Sequence, residues 1–264
     1  MPKLEWGVPG QKEFEFGVDQ GVIYMNDGRA IPWSGLVSVS EKPDRTSTPV
    51  YFDGHKVHDF VSTGSFAATI KAITYPDEIL EIEGYGEMVQ GAWVGEQRPS
   101  TFCMTYRTKI GNDLETGGSA YRIHILYNVS LVAADKTYNT VGELASPMTF
   151  EWSATTVPEE SEWFAPGAHI FIDSDDISPA VLEWVELRLY GGETANPTFP
   201  TYSELISYIY TYYSVEIIDN DDGTWTAKTD LPGYLTMLTT TSFQLDNVDA
   251  TVVDANTYTI SSTR

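Results

Sequence analysis

Residues 101–128 read TFCMTYRTKIGNDLETGGSAYRIHILYN, and the side chains alternate between apolar and mixed character at both ends of this stretch. Phe102, Met104 and Tyr106 alternate with small or polar residues, and a second alternating run covers residues 121–128. A period of two over runs of this length predicts two β-strands. Glycine, asparagine and aspartate between the runs are turn residues, so we expect one long antiparallel hairpin. Because a hairpin is marginal alone in water, the rest of the chain must supply a sheet around it.

Other segments of the chain predict further strands. The sequence Asn26-Asp27-Gly28 is a strong hairpin-turn signal that follows a short apolar run. Residues 65–74 and 148–154 alternate in the same way as the hairpin, and residues 168–172 form another short strand. Together these segments predict a large, mainly β domain.

Two polar segments are expected to connect the strands. Residues 41–49 read EKPDRTSTP, which is polar and contains two prolines, so we expect an exposed loop there. Residues 76–100 are rich in glycine and acidic side chains, and they predict a long connection with short strands in it.

Two helices are predicted after the strands. Ser178 is a helix N-cap with proline at the first helical position, and a Gly-Gly pair closes a helix at about residues 178–190. Thr201 begins a capping box that opens a second helix over residues 201–213. The rest of the chain contains short strand-like segments separated by dense turns. We therefore predict a main β domain over residues 1–200, a connecting helix over 201–213 and a small all-β domain over 214–264.

The composition of the 264-residue chain excludes several classes of protein. It carries 38 acidic and 15 basic residues, a net charge of −23, and such a surface repels nucleic acid. Hydrophobic residues make up 42% of the chain, which argues against disorder. No apolar run approaches the length of a transmembrane helix and no signal sequence is visible, so we expect a protein made in a cytosol. The single cysteine, Cys103, cannot form an internal disulfide, and we expect a small buried or half-buried strand residue and not a reactive thiol.

No catalytic, cofactor or metal site is predicted. His55 and His58 stand three apart on an expected strand, so their side chains point to opposite faces and suit a shared ion poorly. The acidic run that begins at Asp219 resembles a calcium loop, but its glycine is misplaced and an acidic turn is the simpler interpretation. Glycine-rich phosphate loops and the GxSxG motif of hydrolases are absent from the sequence. We therefore expect a protein that is not an enzyme.

Eight phrases occur in a fixed order along nearly the whole chain. They are GVDQGVIY (17–24), PWSGLVSVSE (32–41), YFDGHKV (51–57), ITYPDE (73–78), YRTKIGND (106–113), YRIHILYN (121–128), HIFIDS (169–174) and DNDDGTWTA (219–227). No single phrase is diagnostic, but the ordered series resembles the major tail protein (tail-tube protein) of long-tailed, non-contractile phages (siphoviruses), particularly those that infect actinobacteria.

The resemblance implies a β-sandwich with flanking helices that contributes strands to an inner β-barrel shared around a ring. Such subunits form hexameric rings, and the rings stack into a tube through which DNA leaves the capsid. A shared barrel leaves no open sheet edge, and heterologous contacts produce rings and stacks. An acidic bore would keep the DNA phosphates from binding as they slide. The small C-terminal domain would then decorate the outside of the tube.

The resemblance also implies a location in the virion tail, assembly in the cytoplasm of the bacterial host, and a set of partners. The partners are other copies of the chain, a tape-measure protein inside the tube, and tail terminator and distal tail proteins at its ends. DNA would pass through the tube without specific binding, and no membrane is involved.

Two groups of residues are candidates for assembly contacts under this resemblance. The first group lies in the polar segments 41–49 and 110–119, whose length and polarity suit ring-to-ring or subunit contacts. Its eight members are Glu41, Asp44, Arg45, Ile110, Asn112, Asp113, Leu114 and Glu115. The second group should face the lumen or an adjoining subunit, opposite a core face shared by Phe102, Met104, Tyr106, Tyr121, Ile123, Ile125 and Tyr127. Its members are Thr105, Arg107, Arg122 and His124.

Three alternatives stay open from the sequence alone. A minor or distal tail component could share the same fold, and its low copy number in the virion would distinguish it. A carbohydrate-binding β-sandwich adhesin would use exposed tryptophan and tyrosine side chains on glycans. A β-sandwich hydrolase would require a cleft with a pair of carboxylates whose pKa values differ.

Overall fold

The computed structural model describes residues 8–10, 12–44, 47–61, 65–114, 120–138, 140, 147–219, 224–229, 248–254 and 257–262. The fold is mainly β with few helices, as predicted, and its large antiparallel sheet is not a closed barrel. The chain divides into two compact units, Met1–Tyr202 and Ser203–Arg264. Within the described ranges, no helix is long and apolar enough to cross a membrane.

The first unit contains twelve strands and two helices within the described residues, and a third helix begins at its end. The strands are β1 (Glu13–Tyr24), β2 (Ala30–Trp33), β3 (Leu36–Asp44), β4 (Ser47–Phe52), β5 (His55–Val61), β6 (Ser65–Ala72), β7 (Gly86–Val89), β8 (Ala92–Val94), β9 (Phe102–Asn112), β10 (Ala120–Ala133), β11 (Phe150–Thr156) and β12 (His169–Asp173). The helices are α1 (Glu78–Glu83), α2 (Pro179–Tyr190) and α3 (Tyr202–Ser214).

The predicted hairpin of residues 101–128 is confirmed as β9 and β10, which lie at the centre of the main sheet. The 8-stranded sheet has the order β2-β1-β9-β10-β11-β6-β3, with β12 paired to β10 as well. Strand β10 pairs with β12 up to Leu126 and with β11 from Val129. Between them Asn128 has a positive φ of 46°, and the register to β9 shifts at the same place. This bulge lets one strand carry two partners on the same side.

The main core lies between two parts of this one sheet. Ile23 and Met104 come from its β1–β9 part, while Ile70 and Trp152 come from its β6–β11 part, and all four are fully buried in one cluster. The sheet therefore bends over on itself. Gly21 permits a close approach of β1 to β3, because a Cβ atom there would stand 2.4 Å from Cδ1 of Leu36 on β3.

Helix α2 covers the opposite face of β9 and β10. Its buried residues Val181, Val185 and Leu189 form one stripe. The Tyr24 hydroxyl donates a hydrogen bond to the Leu189 carbonyl at 2.7 Å, and the Tyr121 hydroxyl donates to Glu186 of α2 at 2.6 Å. The central strands are therefore buried on both faces.

The register of β9 and β10 contradicts the predicted core face. Tyr106 pairs with His124, and Thr105 pairs with Ile125. Directly paired residues project to the same side of an antiparallel sheet, so Tyr106 shares its face with His124 and not with Ile125. The prediction was wrong because alternation within each strand does not determine the register between strands, and a shift of one residue exchanges the faces.

Two predicted connections also contain regular structure. The segment 41–49 was expected to be a loop, but β3 runs to Asp44 and β4 begins at Ser47. The segment 76–100 contains helix α1, which ends at Gly84 with a left-handed φ of 88°. Helix α1 has only six residues, too few for its apolar period to be visible in the sequence.

The second unit contains four described strands in an antiparallel sheet. They are β13 (Val215–Asp219), β14 (Thr224–Thr229), β15 (Val248–Asp254) and β16 (Thr257–Ser262), in the order β13-β14-β16-β15. The small C-terminal β sheet agrees with the predicted fold class. The acidic turn predicted after Asp219 lies outside the described residues.

Candidate functional site

The β4–β5 hairpin is the first candidate site, because it exposes a group of large apolar side chains. It forms a two-stranded sheet of its own between the core strands β3 and β6 in the chain. Its tight turn is Asp53-Gly54, with φ of 48° and 78°. The exposed side chains are Tyr51 (60%), Phe52 (66%), Val57 (60%) and Phe60 (64%). A concentration of exposed apolar area on one element marks a contact surface for another protein.

A second exposed hairpin, β7–β8, has the same character on a smaller scale. Met88 is 70% exposed and Val89 is 61% exposed. Leu114, just beyond the end of β9, is 68% exposed. Apolar side chains are thus exposed on several protruding parts of the first unit.

The second candidate site is a cluster of three side chains from three strands: Glu41 of β3, His124 of β10 and His169 of β12. The Nδ1 atom of His124 lies 3.2 Å from Oε1 of Glu41 and 3.2 Å from Nε2 of His169. The three ligand atoms lie within 4.8 Å of one another. His124 is buried, His169 is half-buried, and Glu41 is exposed.

Neighbouring side chains fix the position of this cluster. The Tyr106 hydroxyl donates a hydrogen bond of 2.7 Å to Oε1 of Glu41, and the Tyr106 ring stacks on the His124 ring with centroids 4.5 Å apart. The Nε2 atom of His124 lies 3.3 Å from the Thr108 hydroxyl oxygen. Strands β3, β9, β10 and β12 therefore meet at this cluster, although β3 is at the far end of the sheet order.

The environment shifts two pKa values in the cluster. The hydrogen bond from His124, assisted by that from Tyr106, lowers the pKa of Glu41 to about 2 against the effect of burial. Burial lowers the pKa of His169 to about 4, because the charged imidazolium loses its hydration. At neutral pH the cluster therefore consists of a carboxylate beside a neutral His169.

The first group of predicted contact residues is dispersed in the structure. Glu41 belongs to the cluster, and Ile110 is buried. Asp113 accepts a hydrogen bond of 2.7 Å from the backbone N–H of Gly10. Asn112 ends β9, Asp44 ends β3, and Leu114 is exposed. Arg45 and Glu115 lie outside the described residues.

The second predicted group does not share one face. Thr105 is fully buried on the α2 side, and His124 is buried on the other side. Arg107 binds Asp19 with Nε 2.9 Å from a carboxylate oxygen, and its guanidinium lies 4.5 Å from the centroid of the Tyr121 ring. Arg122 binds Asp173 at 2.5 Å and also Glu15. These intramolecular pairs hold both arginines within the subunit.

Sequence reasoning missed the cluster because its members are far apart in the chain. His124 and His169 are 45 residues apart. Neither lies in a short metal-binding motif, and only the pairing of β10 with β12 brings them together. Polar residues at central positions of strands, such as His124, were the available signal, since a buried polar group needs a partner.

No family model matches the chain, and no curated protein matches it. Among solved structures the chain is similar to the sheath/tube terminator of an extracellular contractile injection system, PVC, in its extended state. The match has 13% sequence identity and a TM-score of 0.28, and it covers 64% of this chain and 99% of that chain. A TM-score this low supports no statement about function.

Proposed function

We propose that this chain is the major tail subunit of a long-tailed, non-contractile phage. In this proposal it polymerises as stacked six-membered rings whose lumen conducts DNA out of the capsid, and it catalyses no reaction. The observation that carries the proposal is the β4–β5 hairpin, with four large apolar side chains each at least 60% exposed. The ordered series of tail-protein-like phrases in the sequence supplies the identity of the assembly.

The hairpin has the properties of an assembly element. Its exposed apolar side chains gain about 25 cal/mol for each Å² that a neighbouring subunit covers. A two-stranded hairpin is marginal by itself, so a neighbour that packs on it also stabilises it. If the hairpin packs on a different surface of the neighbouring subunit, the contact is heterologous, and heterologous contacts generate rings and stacks.

The main sheet suits lateral assembly as well. It is not a closed barrel, so its edge strands carry backbone donors and acceptors that a neighbour can pair with. In a ring, such pairing would continue the sheet from one subunit to the next and build the inner barrel. The net charge of −23 would repel DNA phosphates from the lumen.

The proposed partners follow from a tube. Other copies of the chain are the main partner, a tape-measure protein occupies the lumen before ejection, and terminator and distal tail proteins close the two ends. The protein would be assembled in the host cytoplasm and function in the virion tail.

Electron microscopy of the purified full chain over a range of concentrations tests the proposal. We expect stacked rings with a central channel at high concentration. A monodisperse monomer at every concentration, also in the presence of preformed tails, would contradict it.

A further inference from the structure

The cluster of Glu41, His124 and His169 has a feature that hydrogen bonding alone does not explain. The Nδ1 atom of His124 faces two potential acceptors at the same distance of 3.2 Å, Oε1 of Glu41 and Nε2 of His169. A neutral imidazole nitrogen has either one proton or one lone pair. If Nδ1 is protonated, one proton must serve both neighbours; if it is not, its lone pair faces the Glu41 carboxylate. Each tautomer therefore leaves one of the two contacts poorly satisfied.

A cation between the three atoms removes this conflict, because all three would present lone pairs to it. From zinc–nitrogen distances of 2.0–2.1 Å, two ligand atoms on a tetrahedral ion stand roughly 3.3 Å apart. The two observed separations of 3.2 Å match that spacing. Glu41 is the most exposed of the three side chains, so it can adjust to close the remaining pair.

The side chains that contact His124 and Glu41 provide the hydrogen bonds that metal-binding residues need. A metal-binding histidine donates its other ring N–H to an oxygen, and the Thr108 hydroxyl lies 3.3 Å from Nε2 of His124. A metal-binding carboxylate is itself hydrogen-bonded, and the Tyr106 hydroxyl donates to Glu41 at 2.7 Å. Both partners come from β9, and both would keep Nδ1 and Glu41 directed at the same point.

We propose that Glu41, His124 and His169 bind a divalent transition-metal ion. Two imidazole nitrogens and one carboxylate oxygen are the donor set of Zn²⁺, with Co²⁺ and Ni²⁺ as close substitutes. Water would supply the fourth ligand, since Glu41 is exposed. Because the three ligands come from β3, β10 and β12, the ion ties the end strand of the sheet to its centre and stabilises the bent sheet. This site is independent of whether the chain forms a tail tube.

Isothermal titration calorimetry of the tag-free full chain, first stripped with EDTA and then titrated with ZnCl₂ at neutral pH, tests the proposal. We expect one tight site per chain, a higher melting temperature with Zn²⁺, and the visible absorption of tetrahedral Co²⁺ when CoCl₂ is used instead. His169→Gln and Glu41→Gln should each weaken the site by about 100-fold or more. The control His58→Gln changes a histidine outside the cluster and should bind Zn²⁺ like the wild type.

Two results would overturn the proposal. One is the absence of a tight site in the wild type, with the same melting temperature in Zn²⁺ and in EDTA. The other is a site that keeps its affinity in His169→Gln, since Zn²⁺ would then be held by the acidic surface. Circular dichroism of each variant in EDTA separates loss of the site from loss of the fold. We expect Glu41→Gln to remain folded, because the glutamine side-chain oxygen can still accept the hydrogen bond from Tyr106.

Discussion

Replacing Phe52 and Phe60 with serine should abolish assembly without unfolding the subunit. The two rings are 66% and 64% exposed. A phenylalanine side chain offers roughly 200 Å² to burial, so about 130 Å² of each remains to be covered by a neighbour. At about 25 cal/mol for each Å², the loss is about 3 kcal/mol for each side chain and about 6 kcal/mol for each hairpin. Since 1.4 kcal/mol is a factor of ten, the contact should weaken by roughly 10⁴-fold.

Sedimentation velocity and electron microscopy measure this effect as a rise in the concentration needed for polymerisation. The melting temperature should change little, because both side chains are exposed in the subunit. Lys56→Gln is the matched control: it alters the same hairpin but removes only an exposed ion pair with Asp59, and it should assemble normally. Normal assembly of the double serine variant would refute the role given to the hairpin.

Three further predictions concern stability. The buried carboxylate of Glu83 binds Lys136 at 2.9 Å, so Glu83→Ala should lower the free energy of unfolding in urea by about 3–5 kcal/mol. The control Lys71→Met removes an exposed ion pair with Glu151 and should cost less than about 1 kcal/mol. Equal losses of stability in the two variants would contradict the greater importance of the buried pair. Burial lowers the pKa of His169 in the folded chain to about 4, below the ordinary 6.5, so between these pH values the unfolded chain binds a proton that the folded chain does not. In EDTA, the free energy of unfolding should therefore fall by up to about 3 kcal/mol as the pH is lowered from 6.5 to 4. In His169→Gln this part of the pH dependence should be missing. Gly21→Ala should lower the melting temperature by the equivalent of about 1–3 kcal/mol, because its Cβ would stand 3.1 Å from the backbone oxygen of Trp33 and would also displace the Leu36 side chain. An unchanged melting temperature would contradict the tight packing at this position.

The elements that could be predicted are those whose signal is local. Alternation marked β9, β10 and β6, and the Ser178-Pro179 pair marked the start of α2, because strand period and helix capping depend on neighbouring residues. The prolines of segment 41–49 indicated a loop, yet Pro43 lies in β3, the end strand of the sheet, where the missing N–H does not interrupt a central ladder.

The features that escaped prediction depend on register. Whether Tyr106 faces His124 or Ile125 is decided by a shift of one residue between β9 and β10, which neither strand encodes alone. The same register determines that Thr105 is buried under α2, and it places His124 beside Glu41 and His169. The cluster could be recognised only after three strands distant in the chain had been placed side by side.

The copy number of this chain in purified virions that contain it tests the central claim most directly. Quantitative mass spectrometry against the major capsid protein of the same particle gives that number. A tail-tube subunit should be among the most abundant chains of the virion, because every stacked ring contains several copies. A few copies per particle would contradict the account and assign the chain to a minor or distal position in the tail.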